Sequence, residues 1–156
     1  SISADHTKDW EVNVERYARS HNYQYSTRDE ELTYNPDNEV VGTSILQRVF
    51  DVKNKSKDME AVVGAIKSIK ETLVKLDADI ARRVYRNRFR SADRKDISLV
   101  YPFESWTRFE NSNGLPPNFA TAYDKINGKG SWQKNVVKVL DNHTDGWYDE
   151  IRVMIK

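Results

Sequence analysis

The chain has 156 residues with 25 Lys+Arg against 24 Asp+Glu, 38% apolar and 31% charged residues, and no cysteine. A formal net charge of +1 excludes a polyanion-coating protein of the histone kind, and zero cysteines exclude disulfide scaffolds, Cys-ligated zinc and thiol nucleophiles. No apolar run approaches the roughly 18 residues of a membrane span, and the N-terminus shows no basic stretch leading into an apolar one, so the expectation is a soluble, intracellular or virion-borne protein.

Helical spacing dominates the sequence. Trp10, Val14, Tyr17 and His21 predict a helix from about Thr7 to Ser20, with Asp9 and Glu11 in its first turn. Residues Asn22 to Tyr34 have no clear period and read as a loop, closed by the N-cap candidate Asn35-Pro36. A second helix is expected through Val41, Ile45, Leu46, Val49 and Phe50. From the cap candidate Ser56, Met59, Val62, Ile66, Ile69, Leu73, Leu76, Ile80 and Val84 recur every three or four residues and predict one long helix, Lys57 to about Phe89. Such a helix, ~45 Å at ~1.5 Å per residue, would be the central pillar of the domain.

Ile97 to Phe103, which contains Pro102, reads as an extended connector or a single short strand. Asn111 to Gly114 and Pro116-Pro117 mark a loop. Three short helices follow, over Asn118 to Asn127, Trp132 to Leu140 and Trp147 to Ile155, the first two separated by Gly128 and Gly130. The alternative for the last two is a hairpin around Asp145-Gly146. The expected fold is therefore mainly α, a single domain over residues 1–156 built around one long central helix at about residues 57–90. A subdivision into a helical body (1–100) and a C-terminal subdomain (101–156) is the variant of that reading.

Charge is polarised in the middle of the chain, where residues 61–100 hold ten Lys+Arg against five Asp+Glu. On a helical wheel Arg82, Arg83, Arg86 and Arg90 share one arc opposite the Leu73, Leu76, Ile80 and Val84 stripe, and Arg94 and Lys95 extend the basic run. Guanidinium is a rigid bidentate fork for phosphate, and Tyr85 and Phe89, interleaved with it, could stack on unpaired bases. These eight residues point to a non-enzymatic protein that contacts a nucleic-acid backbone, single strands above all, without reading sequence, as an assembling coat or nucleoprotein subunit does. The alternative is a protein-interaction or self-assembly module whose basic helix pairs with an acidic surface, either a separate partner or the acidic N-terminal third (Glu11, Glu15, Asp29, Glu30, Glu31, Asp37, Glu39) of a neighbouring copy.

Signs of catalysis are sparse. His21 ends an apolar stripe and reads as a packing residue. Asp141, His143, Asp145, Asp149 and Glu150 form a local acidic cluster with one histidine, but without EF-hand or HExxH spacing they read as a solvated turn. Gly128-Lys129-Gly130-Ser131 lacks the upstream glycine and preceding strand of a phosphate loop. No metal and no cofactor is expected.

Overall fold

The computed structural model describes residues 26–35, 44–88, 95–103, 106–107 and 114–153. The helix expected over Thr7–Ser20 lies outside them. The described residues form strands β1 (Ser26–Arg28), β2 (Ser44–Val52), β3 (Arg83–Asn87), β4 (Ile97–Phe103) and β5 (Thr144–Val153). Three helices accompany them: α1 (Met59–Lys75), α2 (Phe119–Asn127) and α3 (Lys138–His143), the last preceded by a π-helical turn, Gln133–Val137. All strands join one antiparallel sheet in the order β1-β3-β4-β2-β5. From β2 onward this is two split β-α-β units: β4 lies between β2 and β3, and β2 lies between β4 and β5. The fold is therefore mixed, with a five-stranded sheet and short helices, and the expected mainly α helical bundle is corrected.

The first departure from the expected fold is β2. The apolar spacing from Val41 to Phe50 fits a helix, yet Ser44–Val52 is a strand paired on both sides, with β4 and with β5. Leu46 and Val49, which point to opposite faces, are both buried, so the strand carries apolar residues on both faces and shows no simple alternation. Its β-branched and aromatic content suits a strand, and the partners on both sides decide it.

The second departure is the expected long helix, which ends at Lys75. Asp77 takes φ +46, its N–H bonds Val74 O at 3.2 Å, and the Ala78 N–H reaches back to Leu73 O at 3.2 Å. That pair of bonds is a Schellman stop, built on aspartate where glycine is the usual signal. Beyond it the chain reverses and runs back as β3, whose period of two places Arg82, Val84 and Arg86 on one face and Arg83, Tyr85 and Asn87 on the other. The continuation of the stripe through Ile80 and Val84 is a coincidence of spacing.

Ile97–Phe103 is extended, as one of its readings has it, but it is an inner strand between β3 and β2 rather than a connector. Pro102 lies past Val100, the last β4 residue paired with β3, where a missing N–H is tolerated. The helix expected at Asn118–Asn127 is α2, with Asn118 as its cap residue, and the one at Trp132–Leu140 is the π-turn and α3. The third, Trp147–Ile155, is replaced by β5. The hairpin alternative fails as well, because Val136 and Val137 are helical and β5 pairs instead with β2, which lies far back in the chain. Gly146, at φ +132, sits in an irregularity opposite Phe50–Val52, so the Asp145-Gly146 pair makes a bulge rather than a hairpin turn.

One face of the sheet carries Leu46, Phe50, Val84, Ile97, Leu99, Tyr101 and Phe103, which pack with Val62 and Ile66 of α1. A second cluster joins Ile69 and Leu73 of α1 to Phe119 and Tyr123 of α2 and to Val136. α1 thus serves both clusters with one buried stripe, Val62, Ala65, Ile66, Ile69, Thr72 and Leu73.

Candidate functional site

The arginines expected to share a helical face are dispersed. Arg82 is fully buried on the α1 side of the sheet, where its Nε donates to Tyr101 Oη at 3.1 Å and its Nη1 to Ile66 O at 3.3 Å. Among the described residues its Nη2 has no hydrogen-bond partner and no carboxylate pairs with it. Arg83 and Tyr85 are half-buried on the opposite face. Both Nε and Nη2 of Arg86 meet Asp29 Oδ2. Lys95 Nζ lies 3.4 Å from Glu150 Oε1 and 5.7 Å from the centre of the Tyr148 ring, and these contacts hold its pKa above the ordinary lysine value, the bond to Tyr148 foremost. Phe89, Arg90 and Arg94 lie outside the described residues. Alternation along a strand therefore separates what a helix would have gathered, and Arg86 is the member that lines the cleft beside β1.

That cleft, about 550 Å³, lies between β1, the end of β3 and the start of α1, and its walls include Arg28, Lys55, Arg86 and Arg88 together with Asp29, Glu30 and Asp96. Most of its charges are already matched within the fold. Arg28 pairs with Glu30 at 3.1 Å, Lys55 with Asp96 at 3.2 Å and Arg86 with Asp29, while exposed Arg88 donates to Thr27 Oγ1 at 2.6 Å. Asp96 Oδ2 also accepts the Val52 N–H at 3.0 Å, which commits that carboxylate to holding β2 against the start of β4.

The acidic cluster from Asp141 to Glu150 is drawn apart. His143 Nδ1 meets Asp58 Oδ1 at 2.8 Å, and that contact holds the Asp58 carboxyl below the usual range. Asp149 takes a two-pronged bond from Arg48, both arms 2.8 Å, and Glu150 accepts from Arg152 at 2.6 Å. Among the described residues no group of three or more His, Asp and Glu could hold a metal ion. The Gly128–Ser131 turn does bind an anion, but an internal one: Asp124 accepts the N–H groups of Trp132 at 2.7 Å and Gly130 at 2.8 Å, and these bonds lower its pKa. Its carboxylate occupies the seat a phosphate would need.

The feature that sequence reasoning missed is β5. It is ten residues long and pairs with β2, and no other described strand lies along its far edge. Trp147, Ile151 and Val153 alternate along one face and are 55%, 43% and 63% exposed. Arg48 of β2 braces this strand, its guanidinium lying 4.3 Å from the centre of the Trp147 ring while gripping Asp149. Burial works against the Arg48 charge and the Asp149 carboxylate more than offsets it, so its pKa stands above the ordinary value. Long, apolar open edges are rare because they template pairing with other chains. The signal is present in the sequence as the Trp147, Asp149, Ile151, Val153 alternation, masked by an equally good helical spacing.

Searched against protein families, curated proteins and solved structures, the chain matches none of them. No helix of the described residues is long and apolar enough to cross a membrane.

Proposed function

We propose that the protein is a non-enzymatic interaction module that engages a protein partner by adding a strand to the open edge of β5. The observation that carries this reading is the edge itself: ten residues that, among the described strands, are paired on one side only, with three large apolar side chains exposed along one face. Strand addition supplies affinity through main-chain hydrogen bonds and specificity through alternate side chains, which here are Trp147, Ile151 and Val153. Arg48 contributes by fixing Trp147 and Asp149, so that less side-chain freedom is lost on binding.

A selection of extended peptides from a display library on the immobilised protein tests this. The expected binders alternate apolar and polar residues, slow hydrogen exchange of β5 amides, and lose affinity to an Ile151→Pro variant, whose edge lacks one N–H. Binders that protect another surface and ignore Ile151→Pro would overturn it.

A second reading, contact with a nucleic-acid backbone, draws support from the cleft, where Arg86 and Arg88 stand at the start of the connection that carries Arg90 and Arg94. Their matched carboxylates make it the weaker one. It predicts that Arg88→Glu with Arg90→Glu abolishes binding to a generic single strand at low salt, measured by fluorescence anisotropy.

A further inference from the structure

We infer that the strand accepted by β5 is β5 of a second copy of this chain, paired antiparallel about a two-fold axis through Ile151. The inference rests on the strand-addition reading above and names its partner.

Opposed residues of an antiparallel pair lie on the same face of the sheet, so a two-fold axis perpendicular to the sheet sets one residue against itself. The charges of the strand then select the register. Axes through Asp149, Glu150 or Arg152 set two like charges face to face, which is destabilising. An axis through Tyr148 avoids that but gains no ion pair. An axis through Ile151 sets the two isoleucines together and puts Glu150 opposite the partner's Arg152 twice, once on each side. In the single chain Arg152 already reaches Glu150 at 2.6 Å, with Lys95 at 3.4 Å from the same carboxylate, so the paired copies bring these groups into one alternating network. On the other face, the exposed Val153 of each copy lies opposite the partner's Asp149, whose carboxylate Arg48 already holds, and diagonal to the partner's Ile151, which it meets as an apolar neighbour. The same patch serves both copies, as a closed two-fold interface requires.

Sedimentation equilibrium of the full chain, of Glu150→Arg, of Arg152→Glu and of an equimolar mixture of the two variants tests the register. The wild type should form dimers, and each variant should self-associate about ten-fold more weakly, because both cross-axis ion pairs become like-charge pairs. The mixture should recover dimers of one copy of each, since the two arginines that flank the axis in the Glu150→Arg copy then face the two glutamates of the Arg152→Glu copy. The cysteine-free sequence allows a second readout. Ile151→Cys should link to itself under mild oxidation, whereas Leu76→Cys, exposed at the end of α1, should not. A wild type that stays monomeric, a mixture no better than its parts, or Ile151→Cys linking no faster than Leu76→Cys would overturn the self-pairing. Strand addition itself is judged separately, by the peptide footprint on β5.

Discussion

At the scale of single residues, Arg82 is the most informative side chain. A guanidinium with no exposed surface, no paired carboxylate among the described residues and an idle Nη2 costs desolvation that two hydrogen bonds only partly return. Arg82→Met keeps the apolar stem and removes the charge, so it should leave stability unchanged or raise it by about 1 kcal/mol in urea unfolding. Arg82→Ala should instead cost roughly 2–4 kcal/mol through the cavity it opens beneath Tyr101 and Ile66. Tyr101 is itself boxed in, since a Cβ on Gly114, which sits at φ +83, would come within 2.8 Å of the ring. Asp124 is the second such residue. Its pKa is lowered by the N–H groups of Trp132 and Gly130, so the carboxylate contributes stability above the ordinary aspartate range, and that contribution is lost as pH falls through the lowered value. Thermal melts over an acid series should therefore show a shallower loss for Asp124→Asn than for the wild type, from a lower starting point near neutrality.

Individual elements turn on their ends. The stop of α1 depends on a left-handed aspartate, a conformation that costs an L-residue energy glycine does not spend. Asp77→Gly should stabilise the protein by about 0.5–1 kcal/mol net of the added freedom of the unfolded chain, and Asp77→Val should destabilise it, both measurable as shifts in the urea midpoint. The same position explains why the sequence suggests a helix twice as long. With no glycine or proline between Met59 and Phe89 except Gly64, inside α1, nothing local announces a stop, and the apolar spacing runs on through the turn into β3. α2 is legible because its boundaries carry strong local chemistry, with Pro116-Pro117 before it and Gly128 after. β2 and β5 are not, because their few apolar residues, some adjacent and some two to four apart, satisfy both periods until a neighbour supplies hydrogen bonds.

For the whole molecule, the connection that closes the fold is β2 to β5, since β5 covers one edge of the strand carrying Leu46, Val49 and Phe50. A chain ending at His143 should keep helical signal yet lose cooperative urea unfolding and bind a hydrophobic dye, because β2 then becomes an open apolar edge. Retention of a sharp transition with an unchanged m-value would show that the remaining strands suffice. The split β-α-β order also makes every large pairing except the β3–β4 hairpin distant in sequence, which predicts slower folding than that of a helical bundle of this length, measurable by stopped-flow refolding.

Local chemistry is enough to determine the helices whose ends carry their own signals, the apolar stripe from Val62 to Leu73 and the concentration of arginine between residues 82 and 95. Tertiary structure alone decides where α1 stops, that Ser44–Val52 and Thr144–Val153 are strands, and that Arg82 enters the core while Arg86 faces a cleft and Trp147 stays in the open. The reason is the same in each case. A helix satisfies its backbone within a few residues and so leaves a periodic trace in the sequence, whereas a strand is completed by a partner that can lie anywhere else along the chain.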